Sequence, residues 1–420
     1  MARSHDMTSG SIWRSLLGFS IPIMISNLVQ STYNAVDMLF VGRFTGTESL
    51  AAVSVCGPIM NVMIITLSGM SAGVLVVISG LLGAGDIKQA QDAAHTSVAL
   101  YALMAAVMTV LGLLFVPQIL RLVQTPAAAM PEAKRYLYTV FAGTVFTFGY
   151  NLIGALQRGL GNAAASMSFV IISSAANIAL DAVFIVWLGM GAFGAALGTV
   201  LSQVAAFVIG TIQFARGGAA LRLSARAVRF HKKHLKNILL FGVPTALNEV
   251  MVNLAMLTVS GVANSFGLAS SAAYGVGSRI NSLAIFTDGA MNQTMSAYAS
   301  QNIGAGRQKR ALEGLWKAII LSAGAALGTS LLVLGFASEF SACFDSDPAV
   351  IEQSAAFLRV TVWSYPLFAT VGPLIGFIRG TGNVEASLLV GVVAQLCCRV
   401  PASFLFSRWM GFPGVGVAVL

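Results

Sequence analysis

Apolar runs long enough to cross a bilayer recur along this chain, separated by short polar breaks. They centre on residues 16–38, 50–80, 94–116, 136–156, 167–188 and 193–215. After a polar stretch they resume at 238–262, 271–300, 315–337, 357–378 and 388–407. A helix needs about 20 apolar residues to span the hydrocarbon core, and each run meets that length. The runs lack the period-2 alternation of barrel strands and are too long for them. The pattern predicts eleven spanning helices and the start of a twelfth near Gly414.

Punctuation between the runs repeats. Gly83-Ala84-Gly85 returns as Gly304-Ala305-Gly306, and Arg158-Gly159-x-Gly161-Asn162 as Arg379-Gly380-x-Gly382-Asn383, both 221 residues on; Pro22 returns as Pro244 after 222. Offsets of 221 or 222, met three times in the same order, predict a duplicated chain. Six helices per copy is an even number, so both copies enter the membrane the same way and form parallel repeats. The expected organisation is an N-lobe over 1–215, a basic linker over 216–236 and a C-lobe over 237–420. Gly194 is followed by a full span, whereas its counterpart Gly414 has six residues after it. The natural chain is therefore expected to continue through a complete twelfth helix.

Composition excludes the other classes. Of 420 residues, 57% are hydrophobic and 9% charged, against about a quarter charged in soluble domains. Disorder would need the opposite balance. The formal charge of +9 does not point to nucleic acid, because seven of the 24 bases fall between Arg216 and Lys236, without interleaved aromatics for base stacking. Sixteen bases lie on the side holding the N-terminus, linker and Gly-Ala-Gly loops, and seven on the other, with Arg279 left inside a helix. That asymmetry predicts a cytoplasmic N-terminus and central loop. The cysteines, Cys56, Cys343, Cys397 and Cys398, have no metal or disulfide spacing and read as free, mostly buried thiols.

Acids inside spans are expensive, at about 2.5–3.5 kcal/mol on insertion scales. Four qualify: Asp37, Asp181, Glu249 and Asp288. Each lies on a polar stripe of helical spacing: Asn27, Gln30, Asn34 and Asp37; Ser173, Asn177 and Asp181; Thr245, Glu249 and Asn253; Asn281, Asp288 and Asn292. Such stripes can line a wet cavity in which carboxylates bind a proton or small cation, or they can join helices by hydrogen bonds. Arg279 reads as a snorkelling or phosphate-facing base. Pro22, Pro244, Pro366 and Pro373 remove helix hydrogen bonds and allow kinks. Seventeen Met and 25 Phe offer an adaptable apolar wall.

Catalytic patterns fail on context. Gly69-Met-Ser71-Ala-Gly73 has nucleophile-elbow spacing but lies within a span with no strand before it. Gly189-x-Gly191-x-x-Gly194 forms a turn between spans and lacks the acid that follows a dinucleotide fingerprint. No phosphate loop is present, so ATP is not the expected energy source. His231 and His234 read as a solvated face of the basic loop. No enzymatic activity is expected.

Together these residues resemble the multidrug and toxic compound extrusion family, MATE, over essentially the whole chain. The resemblance is carried by Pro22, Val36-Asp37-x-x-Phe40-Val41-Gly42-Arg43, Gly83-Ala-Gly-Asp86, Gln301-Asn-Ile-Gly304-Ala-Gly306, Arg158-Gly-x-Gly-Asn162, Asn177-x-x-x-Asp181 and Gly194-Ala-Ala-x-Gly-Thr199. It implies an all-α polytopic membrane protein of twelve helices in two lobes, here with the twelfth truncated. It further implies an antiporter that exports cationic or lipophilic compounds in exchange for H⁺ or Na⁺ by alternating access, with no cofactor. The branch with an N-lobe site, DinF-type, is the better match, because the tenth span has no Asp or Glu. By that resemblance Asp37, Asn177, Asp181 and Thr199 bind the coupling cation, including Na⁺ if that is the ion. Gln30, Asn34, Glu249, Asn253, Asp288 and Asn292 are candidates for the substrate cavity. The expected setting is a bacterial inner membrane, with a monomer contacting lipids and small molecules and no nucleic acid. The rival is a lipid-linked oligosaccharide flippase, which would need several bases in its cavity where only Arg279 is expected within a helix.

Overall fold

The computed structural model describes residues 6–216, 221–284 and 286–418. No strand occurs among the described residues. The helices are α1 (Ile12–Phe44), α2 (Thr47–Gly83), α3 (Ile87–Leu122), α4 (Met130–Gly159), α5 (Ala163–Asp181) and α6 (Gly191–Arg216). There follow α7 (Lys232–Asn264), α8 (Leu268–Ala284), α9 (Phe286–Gly304), α10 (Gln308–Gly335), α11 (Ala337–Ala342) and α12 (Pro348–Thr361). The series ends with α13 (Tyr365–Phe368), α14 (Val371–Gly380), α15 (Val384–Val392), α16 (Val400–Met410) and α17 (Phe412–Val417). Two π-helical segments interrupt it, Ala182–Trp187 after α5 and Val393–Arg399 between α15 and α16.

Ten stretches of described helix are long and apolar enough to span a membrane. The remaining expected span, 271–300, the eighth in chain order, is divided into α8 and α9, with Ile285 between them outside the described residues. Large apolar side chains lie on the outside: Leu122, Trp187 and Leu268 are 83%, 80% and 89% exposed. A surface of this kind suits lipid, not water. Cys397 and Cys398 are exposed as well. Only Cys56 of the four cysteines is buried, which corrects the expectation of mostly buried thiols.

The chain packs into two compact units. Most of unit one is Ile21–Gly242; unit two is Met7–Ser20 with Val243–Leu420. The changes of unit within α1 and α7 each fall beside a proline that the continuous helix carries, Pro22 and Pro244.

In unit one, α4 packs against α2, α3 and α6 over a core that includes Ile78, Tyr101, Phe148 and Phe169. The Arg158-Gly-x-Gly-Asn162 motif is a compact turn. Gly161 takes φ +79° after α4, and Asn162 caps α5 by accepting the Ala165 N–H at 3.1 Å. Its repeat does the same, with Gly382 at φ +96° and Asn383 accepting the Ala386 N–H at 3.2 Å. A left-handed residue closing one helix and an Asn opening the next explain why this motif marks both copies.

The described part of the basic linker is not a free loop. The Arg222 N–H donates to Gln91 Oε1 at 2.7 Å, and Gln91 Nε2 returns a bond to the Arg222 carbonyl. The Ser224 N–H donates to His95 Nε2 at 3.4 Å and the His231 N–H to Thr96 at 3.2 Å. His231 also lies 3.6 Å from Asp92, and His234 is buried. The solvated face expected for these two histidines is therefore corrected: the linker backbone satisfies its donors on the polar end of α3.

In unit two, α14 seats tightly on α9. A Cβ added at Gly372, Gly376 or Gly380 would run into Asp288, the Asn292 carbonyl and the Ser296–Ala299 turn respectively. Pro366 and Pro373 do not kink helix interiors; they lie in the first turns of α13 and α14, where no N–H is needed. The N-terminal strap completes this unit, with the Met7 N–H donating to Gln301 at 2.9 Å and Arg310 to the Ser9 carbonyl at 2.9 Å.

Candidate functional site

The Ser173–Asn177–Asp181 stripe of α5 turns wholly onto α6. Ser173 donates to the Ser202 carbonyl at 3.1 Å. In the orientation that satisfies both its neighbours, the Asn177 amide nitrogen donates to Asp181 Oδ2 at 3.1 Å and its oxygen accepts the Thr199 N–H at 3.3 Å. Asp181 is fully buried, and its Oδ1 occupies the space a side chain would fill at Gly198. Only glycine at that position lets α6 approach the carboxylate so closely.

Asp37 of α1 completes the group, its carboxyl lying within hydrogen-bonding reach of that of Asp181. An ionised carboxylate only accepts, so a bond between two carboxyls needs a proton shared by them. Oδ1 of each acid is shielded from solvent and has no partner. The structure thus gathers Asp37, Asn177, Asp181 and Thr199 into one oxygen-rich cluster inside unit one. Tyr33 and Tyr136 lie within electrostatic reach of both acids. Tyr33 escapes the reading of the sequence although it stands one turn before Asp37 on the same stripe; Tyr136, on α4, has no signal in the sequence.

The substrate-cavity candidates are not gathered in this way. Gln30 and Asn34 are exposed on α1. In unit two Asn253 donates to the Glu249 carbonyl at 2.8 Å. Asp288 caps α14 by accepting the Gly372 N–H at 2.7 Å, and Asn292 accepts from Arg379 at 3.0 Å. Asn281 belongs to α8, not to the helix of Asp288, and accepts from Thr361 at 3.2 Å. Glu249 has Arg379 as its charged neighbour.

Arg279 is exposed and is not the only base within a helix. Arg158 is part-buried at the end of α4 and donates to Ser166 at 3.0 Å, and Arg379 is 5% exposed in α14. Arg399 stands inside the eleventh span, not in a loop. The contrast with a base-lined flippase drawn from Arg279 alone is corrected to that extent.

The MatE family model matches this chain twice, over residues 22–183 and 244–405, which restates the duplication at an offset of 222. A probable multidrug resistance protein of Bacillus subtilis (strain 168), YpnP, is 27% identical over 417 residues, covering 99% of this chain and 93% of that protein. The multidrug export protein MepA of Staphylococcus aureus (strain N315) is 23% identical over 407 residues, covering 96% and 89%. Among solved structures, a multidrug resistance MATE transporter of the MOP superfamily in an outward-facing conformation superposes with a TM-score of 0.92. It is 25% identical and the match covers 100% of this chain and 94% of that one. A MATE in complex with MaD3S gives 0.94 at 24% identity with the same coverage.

Proposed function

The chain belongs to the MatE family, and we propose that it exports cationic or lipophilic compounds from the cell in exchange for H⁺ or Na⁺. A membrane transporter with small-molecule substrates is the class its relatives define. The coupling reading is carried by one observation, the neighbouring carboxyls of Asp37 and Asp181 with a buried, unpartnered oxygen on each acid.

Two carboxyls within reach of each other in a buried site do not readily both ionise without a cation between them. A proton satisfies the pair directly. Na⁺ would take its place using the free Oδ1 atoms with the Asn177 and Thr199 oxygens, since hard cations take oxygen ligands. Either way the cluster cycles between a cation-filled state and an empty state whose charge repels itself. Exchange follows if the two states favour opposite openings of the two repeats, because a cation shifts a conformational equilibrium only through its differential affinity. One proton moving through about 100 mV supplies about 2.3 kcal/mol, roughly a fortyfold gradient of exported compound.

Ethidium efflux from proteoliposomes tests this, with a pH gradient and a Na⁺ gradient imposed separately. Efflux driven by one ion in the wild type and lost in Asp37→Asn and Asp181→Asn is expected. Ion-driven efflux that survives in both variants would refute the coupling role.

A further inference from the structure

His95 holds the linker to α3 through an atom that must be free of a proton. Its side chain is buried about two turns into α3. Its Nε2 faces the Ser224 N–H at 3.4 Å and Gln91 Nε2 at 3.2 Å. A backbone N–H only donates. The Gln91 amide is fixed as well, since its oxygen accepts the Arg222 N–H at 2.7 Å and its nitrogen donates to the Arg222 carbonyl. Two donors that cannot exchange roles therefore converge on one ring nitrogen. It can accept from them in the neutral imidazole, with the ring proton on Nδ1, whereas imidazolium would set an N–H against both.

The charged and titratable groups around this seat are engaged with one another. From α3, Asp92 lies 3.6 Å from His231 Nε2, and from the turn before it Asp86 accepts the Gln89 N–H at 3.0 Å. From the start of α7, Lys233 donates to Gln89 at 3.0 Å, and His234 stands beside His231 with ring centroids 6.0 Å apart. Arg158, at the end of α4, donates to Ser166. Arg229 of the linker donates to His231 Nε2 at 2.9 Å. A proton on His231 would cost that bond and gain attraction to Asp92, so its two effects on the linker oppose each other. At His95 both contacts are lost together.

The other copy builds its anchor without histidine. Arg307 and Arg310, 221 residues after Asp86 and Gln89, hold the N-terminal strap by its carbonyls, Arg307 at Thr8 and Arg310 at Ser9, the latter at 2.9 Å. Asn302 adds a bond to the Met7 carbonyl at 3.2 Å. Trp316, the counterpart of His95, is 65% exposed. Arginine stays charged throughout, while histidine changes charge between about pH 5 and 8. One anchor titrates and the other does not.

We propose that His95 is a proton-operated latch: neutral, it fastens the linker to α3, and protonated, it releases it. The latch is closed at the alkaline end of the histidine range and opens as pH falls through it. The released segment leads into the first part of α7, which packs so closely on α2 that a Cβ at Gly73 would meet the Ile238 carbonyl. On the orientation the bases favour, the latch reads cytoplasmic acidity.

Hydrogen exchange read by mass spectrometry tests it on the full chain in phosphatidylcholine nanodiscs, at about pH 8 and about pH 5.5, corrected for the intrinsic effect of pH. Linker peptides over 221–231 are expected to lose protection roughly tenfold at the lower pH, and strap peptides over 7–12 to keep theirs. In His95→Gln an amide oxygen accepts the same donors without titrating, so the linker should stay protected at both pH values. Equal linker protection at both in the wild type, an equal loss in the strap, or a loss that persists in His95→Gln would overturn the latch. Should His95→Gln not fold, His231→Gln combined with His234→Gln carries the test: a retained pH response supports His95, and its disappearance assigns the proton elsewhere and refutes the proposal. The readout needs no transport, so failure of ion-driven efflux counts against the antiport reading alone.

Discussion

At the scale of single residues, the cluster in unit one depends on an absence as much as on its acids. Gly198 has no side chain, so Asp181 Oδ1 occupies that space and Asn177 bridges to Thr199. Gly198→Ala retains every charged and polar group yet forces the carboxylate to move. Overpacking of this kind costs about 1–3 kcal/mol. A comparable loss at the coupling site lowers ion-driven ethidium efflux roughly tenfold, with the protein still monodisperse. Wild-type efflux in Gly198→Ala would show that the close approach of α6 does not matter. The stripe of polar residues on α5 was legible from spacing alone, because one helix imposes it. The seat at Gly198 was not, since it depends on which helix faces that stripe.

Among the elements, α14 and α9 are joined through glycine, and α10 provides a contrast. A Cβ at Gly376 would enter the Asn292 backbone, whereas at Gly328 of α10 it would meet nothing within 4 Å. Gly376→Ala is expected to destabilise by about 1–3 kcal/mol through overpacking. Gly328→Ala should stabilise by about 0.5–1 kcal/mol, since alanine loses less backbone entropy in a helix. Thermal unfolding in detergent reads both, and shifts of the same sign would refute the assignment. The broken tenth span was only half legible. Its prolines were visible in the sequence, but their place in the first turns of α13 and α14, with Asp288 of α9 capping the latter, depended on a partner helix.

For the whole molecule, the distribution of bases predicts which side each loop occupies. Cys343 is exposed after α11, in a loop expected outside, while the linker is expected in the cytoplasm. In intact cells a membrane-impermeant maleimide should label Cys343 directly. A Ser224→Cys variant, in an exposed part of the linker, should label at that position only after permeabilisation. The reverse pattern would invert the topology. The linker also shows how a basic stretch can be held: Arg222, Ser224 and His231 give their backbone donors to the end of α3.

Span positions, the duplication and the polar stripes were all readable in the sequence, because each is a property of order along one chain: run length, a constant offset, a period of 3.6. The two copies the family model matches fall where that offset put them. What only the folded chain decided is which stripe meets which helix. It joined Asp37 to Asp181, gave Asp288 and Asn292 to α14, and left Arg399 Nε without a partner among the described residues. A pairing energy depends on distance and burial, and neither exists until helices far apart in the chain have packed.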